Sequence, residues 1–310
     1  MRHMLIKLML CSVVIFGLSL SAYAAENETV DTILTLVSTA PFVEQIYLDD
    51  LDNTTDAQID LSPNATELVN CYGNVNDTDG YADLRNVTAT IYSSGVGTTA
   101  YSGGEDPLHR YQNESCTLDF MNDGFFNCTF DVQYYAQNTT WTCAVNVTDF
   151  AYNSNTTSLN ATNTVADLVA IDIPDSVVDF GAKSINQNYS ATTNVTVWNE
   201  GNVEIDLDLD AYEANATGTL FDSPNSFNCT VGSLPVGNLR FNMTFDGNYS
   251  LSLPMQEVGF QNYSSFNLGH TTSGTDPTNT STYWGIGLPE TGLAGICTGR
   301  LIYAALASGD

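Results

Sequence analysis

Six short stretches of this chain place Val, Cys or Met between Asn and Thr. They are Asn86-Val87-Thr88, Asn127-Cys128-Thr129, Asn146-Val147-Thr148, Asn194-Val195-Thr196, Asn228-Cys229-Thr230 and Asn242-Met243-Thr244. Along a β-strand successive side chains point to opposite faces. Each triplet therefore turns Asn and Thr to one side and its middle residue to the other. The flanks keep phase, with Phe126, Cys128 and Phe130 on one face, as are Phe227, Cys229 and Val231, and Phe241, Met243 and Phe245. Period-2 alternation also runs through Trp141, Cys143, Val145 and Val147, and through Val203, Ile205, Leu207 and Leu209. In the second run Glu204, Asp206, Asp208 and Asp210 take the other side, predicting a solvated acidic face. Helical periodicity is absent over any long stretch. Turn signals at Asn122-Asp123-Gly124, Glu200-Gly201-Asn202 and Asp246-Gly247-Asn248 separate the short strands. The expected fold class is all-β, two tandem β-sandwiches.

The chain has 19 Asn-x-Ser/Thr sites among its 30 Asn, roughly three times what random placement gives. That excess predicts an N-glycosylated protein whose sugars coat outer sheet faces and leave packing alone, with Asn86, Asn127, Asn146, Asn194, Asn228 and Asn242 as the chosen sites. Charge fits a high-salt or a glycan-coated exterior and does not separate the two. The formal charge is -29, with 36 acids against only 7 Lys and Arg. Beyond the first 24 residues the bases are Arg85, Arg110, Lys183, Arg240 and Arg300. Such a chain excludes nucleic acid and anionic membrane surfaces as partners.

Arg2 and Lys7 precede an apolar run, Leu8 to Leu20, and then Ala22-Tyr23-Ala24, which reads as a signal peptide over 1–24. The run is too short to span a membrane, and no later stretch is long and apolar enough either. Residues 25–40 form a lead-in, and "TVDTILTLV" (29–37) has the character of a strand for some sheet. The first sandwich is expected over 41–152, a polar linker over 153–166 ("NSNTTSLNATNTVA") and the second sandwich over 167–310.

Six cysteines remain after the leader, an even number in an oxidising compartment, and they allow 15 pairings. A hairpin centred on Asn122 sets Cys116 across from Cys128. Cys71 and Cys143 then remain in the first sandwich as a bridge between its sheets. Cys229 and Cys297 are alone in the second.

The stretch "LSPNATELVNCYGNVNDTDGYADLRNVTATIY" (61–92) resembles Ig-like repeats of archaeal and bacterial surface proteins, in which an Asp/Gly/Asp turn leads into a strand of alternating Val and Thr. "DFGAKSINQNYSATTNVTVWNEGNVEIDLDLDAY" (179–212) and the ending "YWGIGLPETGLAGICTGRLIYAALA" (283–307) resemble other surface domains of secreted archaeal proteins. The resemblance implies Ig-like sandwiches, a surface location and a structural role, with no chemistry attached.

Leu288-Pro289-Glu290-Thr291-Gly292 spells a sortase signal. A working signal needs an apolar segment and a basic stop. Here Arg300 interrupts the apolar segment and no base follows, so the stretch reads as the turn before a last strand. The turn "NDTDGYAD" sets Asp77, Asp79 and Asp83 where they can hold a structural calcium ion, although the spacing is not that of an EF-hand. No other cofactor is expected. His109 and His270 stand in polar stretches with no catalytic spacing around them, and no catalytic residue is assigned. Trp198 and Trp284 are the candidate sugar-stacking rings. The expected protein is secreted, disulfide-pinned and non-catalytic, structural or adhesive at the cell surface, with other surface proteins or itself as partner. Alternatives are a filament subunit joined by donor-strand addition of 29–37 and a carbohydrate-binding module.

Overall fold

The computed structural model describes residues 37–50, 58–96, 106–120, 123–156, 159–175, 177–214, 224–257, 259–274 and 276–309. The expected leader, most of the lead-in, and Asn27, Asn53, Asn122 and Asn215 lie outside them. Of the expected donor segment 29–37 only Val37 is described.

The first half of the chain lays down β1 (Phe42–Asp49), β2 (Gln58–Ile59), β3 (Thr66–Asn76), β4 (Leu84–Ser93), β5 (Arg110–Asn113), β6 (Thr117–Leu118), β7 (Phe125–Gln133), β8 (Thr140–Asp149), β9 (Ser154–Thr156) and β10 (Ala161–Val165). They make two sheets, ordered β1-β3-β7-β6 and β2-β10-β8-β4-β5, with β9 also pairing β8. Val69, Cys71, Val87, Ile91, Phe126, Cys128, Trp141, Cys143 and Val145 fill the layer between them. The Trp141 indole N–H donates to the Gln137 carbonyl at 2.8 Å, so the ring is buried without an orphaned donor.

Within 153–166, expected as a linker, two short strands pair instead into the second of these sheets, β9 and β10 both along β8. β10 pairs antiparallel with β8, from Ala161 opposite Cys143 to Thr164 opposite Thr140, and parallel with β2. Of the β10 side chains only Ala161 and Val165 are buried. Two small apolar residues are too few to raise an alternation signal above a polar background.

The second half forms β11 (Ile171–Asp172), β12 (Gln187–Asn199), β13 (Ile205–Glu213), β14 (Asn225–Val231), β15 (Ser233–Pro235), β16 (Leu239–Asn242), β17 (Leu253–Pro254), β18 (Gln261–Leu268), β19 (Thr278–Leu288) and β20 (Ala294–Ala307). Its sheets are β11-β12-β19-β16-β17 and β15-β14-β20-β13-β18. Between them pack Val195, Val197, Leu207, Leu209, Phe241, Tyr263 and Trp284. The Trp284 indole donates to the Tyr303 hydroxyl at 2.7 Å, and that oxygen lies 3.1 Å from Thr282 Oγ1.

Asp206 and Asp210, expected on a solvated face, are 4% and 3% exposed. β13 is an interior strand, flanked by β20 and β18. Its register sets Leu306 beside Asp206 and Ile302 beside Asp210. Each acid is therefore satisfied locally. Asn267 N–H donates to Asp206 at 3.0 Å, and the Tyr212 hydroxyl donates to Asp210 at 2.6 Å. Alternation within one strand carries no record of its neighbours.

Three disulfides close among the described residues. Cys71–Cys143 ties β3 of one sheet to β8 of the facing one across 72 residues of sequence. Cys116–Cys128 closes a 12-residue loop. Its register, Thr117 opposite Asn127 and Leu118 opposite Phe126, is that of a hairpin centred near residue 122. Cys229–Cys297 joins directly opposed positions on β14 and β20.

Residues Thr39–Asp310 group as one compact unit. The Glu200-Gly201-Asn202 turn stitches the two halves. Asn202, 1% exposed, donates through Nδ2 to the carbonyls of Ala136 and Ala166 at 3.1 and 3.0 Å and accepts from Leu168 N–H at 2.7 Å. A Cβ on Gly201 would run into the Leu168 carbonyl oxygen, so glycine alone fits there.

Candidate functional site

Between β3 and β4 the chain reverses through Asp77–Asp83. Gly80 takes φ 107°, a conformation that a side chain strains. Its N–H donates to the Asp77 carbonyl at 2.9 Å, and a 3-10 turn, Tyr81–Asp83, follows. The reversal gathers one carboxylate oxygen each of Asp77, Asp79 and Asp83 to within 4.8 Å of one another.

The three acids differ in setting. Asp79 is exposed and Asp83 half-buried, whereas Asp77 is 4% exposed. Asp77 Oδ1 accepts the Asp79 N–H at 2.8 Å. Its Oδ2 is buried and has no hydrogen-bond partner. Behind the turn Asp149, fully buried, accepts the backbone and side-chain N–H groups of Asn153 at 2.7 and 2.9 Å. Burial pushes the Asp77 carboxyl above the usual carboxylate range, and the charges of Asp79, Asp83 and Asp149 push it further; the Asp79 N–H opposes them. Asp79 Oδ2 also accepts the backbone N–H and hydroxyl of Thr39 at 2.7 and 2.8 Å, which fastens the approach to β1 onto the turn. Asp149 was not foreseen in the sequence. It closes β8 sixty-six residues beyond Asp83, and only the antiparallel pairing of β4 with β8, which sets Leu84 opposite Asp149, brings it here.

In five of the six triplets with Val, Cys or Met between Asn and Thr the middle residue is buried: Val87, Cys128, Val147, Val195 and Cys229. Met243 is the exception. β16 ends at Asn242, so Met243 and Phe245 leave the strand and are 39% and 62% exposed. Val231, at the end of β14, is likewise exposed. Of the six asparagines Asn194 is exposed and Asn86, Asn127, Asn146, Asn228 and Asn242 are partly exposed. Asn86, Asn113 and Asn146 border one polar depression of about 490 Å³ over β4, β5 and β8. Asn86 Nδ2 donates to the Glu114 carbonyl at 3.1 Å, and Asn242 Nδ2 to Ser252 Oγ at 2.9 Å.

Trp284, named as a sugar-stacking ring, is fully buried, because β19 is an interior strand. Trp198 is partly exposed on β12. Exposed stacking comes from residues the sequence did not single out. Tyr47 and Tyr72 are cross-strand neighbours on β1 and β3, with ring centroids 5.4 Å apart and planes at 27°, and Tyr47 is 50% exposed. They flank a cleft of about 670 Å³ that also takes in Asp49, Thr162, Asn163 and Thr164. The signal lay in Tyr72 falling out of phase with Cys71 and Gly73, both buried.

A second cleft, also about 670 Å³, lies between β20 and the segments 173–175 and 177–180 and is lined by Ile173, Val178, Phe180, Phe227 and Leu301 with Arg300. The LPETG stretch joins β19, which ends at Leu288, to β20, with Gly292 at φ 94°. His109 Nδ1 lies 2.9 Å from Asp106 Oδ2, and Asp106 is exposed. His270 stands in the other half of the chain. Among the described residues no helix is long and apolar enough to cross a membrane.

No protein-family model matches the sequence, and no curated protein matches it. Among solved structures the chain is similar to dimeric latent PorU from Porphyromonas gingivalis, at 16% identity and TM-score 0.26, over 87% of this chain and 20% of that one. It thus spans one fifth of PorU's length. It is also similar to the C-terminal domain of the Streptococcus agalactiae AgI/II polypeptide BspA, at 9% identity and TM-score 0.23, over 86% of this chain and 96% of that one. A structure of carbohydrate-binding modules from the β-sandwich superfamily aligns at 13% identity and TM-score 0.25, over 86% and 97%.

Proposed function

We propose that this is a secreted, N-glycosylated, non-catalytic surface protein in which two Ig-like sandwiches act as a rigid structural or adhesive unit. The observation that carries this reading is the packing of the triplets. Five buried middle residues hold Asn86, Asn127, Asn146, Asn194 and Asn228 at positions that keep solvent access. A glycosyl amide retains one N–H, so a sugar on Asn86 is compatible with its bond to Glu114. Three disulfides suit an oxidising exterior. The acidic, base-poor surface disfavours polyanionic partners. Intact and deglycosylated mass spectrometry of the protein from its native host tests the reading. Glycans on several of these asparagines, with no free thiol after residue 24, support it. Unmodified sequons and reduced cysteines in an intracellular pool would sink it.

The Tyr47–Tyr72 pair favours a second reading, carbohydrate binding, moved from the tryptophans to this cleft. Stacked rings beside hydroxyl and carboxylate groups suit a sugar, which needs an apolar face and polar edges met together. Tyr47→Ala should abolish retention on a glycan array that retains the parent chain, while lowering the unfolding free energy by no more than about 1 kcal/mol, the worth of a cross-strand pair. An array silent for the parent chain removes this reading and leaves the first untouched.

A further inference from the structure

We propose that the Asp77–Asp83 turn is a calcium site, with carboxylate oxygens of Asp77, Asp79 and Asp83 as ligands and Asp149 behind them as a non-ligating charge. An acid-rich turn alone means little, since Asp and Gly are ordinary turn residues. The decisive feature is Asp77 Oδ2. It is buried, and nothing donates to it. A polar turn with no further purpose leaves its acids in water or gives them donors. Here an acid is taken out of water, one of its oxygens is left bare, and one carboxylate oxygen from each of Asp77, Asp79 and Asp83 lies within 4.8 Å of the others. Both features oppose folding unless a cation completes the group.

The donor set selects the metal. Neither His nor Cys belongs to the cluster, so the site is hard and all-oxygen, which disfavours zinc and copper. Calcium accepts six to eight oxygens in a tolerant geometry, whereas magnesium demands a near-ideal octahedron. Asp77, Asp79 and Asp83 come from one seven-residue reversal whose outer flank, Thr78 to Gly80, is exposed. That side gives water access to complete the shell. Asp149 keeps both oxygens on Asn153 and adds negative potential without binding. Because Asp79 Oδ2 also holds Thr39, a bound ion would fix the β3–β4 turn and the approach to β1 as one piece.

The test uses the full chain, stripped with a chelator, and terbium as the probe, since Tyr81 within the turn can sensitise its emission. Wild type should show saturable Tyr-sensitised emission, displaced by calcium but not by equal magnesium, and a thermal midpoint that rises with calcium. Asp79→Asn and Asp83→Asn, both at positions with solvent access, should each weaken calcium about tenfold or more and flatten that thermal response. Asp77 is left intact because a change at a buried acid can disturb folding by itself. Unchanged affinity in both variants, displacement by magnesium as readily as by calcium, or no calcium-dependent thermal shift in wild type would each overturn the assignment.

Discussion

Burial pushes the carboxyl of Glu200 above its ordinary range, and the charge of Asp172 adds to the shift. Asp77 is displaced in the same direction, by burial and by Asp79, Asp83 and Asp149. An acid whose pKa is higher folded than unfolded destabilises the fold when ionised. The penalty is absent below the ordinary value near 4, grows as pH rises through the raised value, and is complete above it. In chelator, the urea midpoint should therefore rise as pH falls from neutrality toward the ordinary carboxylate value near 4. Glu200→Gln should remove the share of that rise that Glu200 contributes and leave the share due to Asp77. A midpoint falling over this interval would contradict the environments described for both acids. Tyr303 follows the same logic at the core, where burial raises its hydroxyl pKa and leaves it neutral to accept from Trp284.

At the scale of the element, the strands are held by cross-links of unequal reach. Loop-closure entropy gives about 4 kcal/mol to a bridge spanning some seventy residues and about 3 kcal/mol to one spanning twelve. Replacing Cys71 and Cys143 together by Ala should therefore cost more than replacing Cys116 and Cys128, and it also severs the one bridge joining the two facing sheets of the first sandwich. Urea denaturation of the two double variants under oxidising conditions measures the difference, and equal losses would show that loop length does not govern it. β20 illustrates a different balance. Its Arg300 interrupts an otherwise apolar run, which would cost several kcal/mol at the centre of a bilayer on most scales. In a strand the residue is simply exposed, paired opposite Tyr212.

For the whole molecule, the two halves of the chain meet in part through buried polar contacts at Asn202. Asn202→Ala removes three hydrogen bonds and strands the Leu168 N–H, at a cost of about 2–3 kcal/mol. Calorimetry should then resolve two transitions where wild type gives one; a single transition of unchanged width would show that the junction is held elsewhere. Charge acts over the same scale. With 36 acids and 7 bases, self-repulsion is a bulk property of the chain, and salt screens it over a Debye length of about 10 Å at 0.1 M. The midpoint in chelator should rise steadily from about 0.05 to 1 M sodium chloride. A flat response would mean that the charges are already compensated.

The residue pattern by itself determined that the chain is built of strands, where many of them run, and which side of each is apolar, because a period of two is a local property that needs no neighbour to exist. It also determined the turn at 288–292 and the close spacing of Asp77, Asp79 and Asp83 along the chain. Only the tertiary structure decided what those local facts add up to. It buried Asp206 and Asp210 by setting β20 and β18 beside them. It paired β9 and β10, two short polar strands, with β8, ended β16 before Met243, and hid Trp284 while exposing the Tyr47–Tyr72 stack. It also brought Asp149 up behind the acidic turn and closed off Asp77 from water. In each case the deciding quantity was solvent exclusion by segments distant in sequence, and alternation along one strand cannot report what another strand will cover.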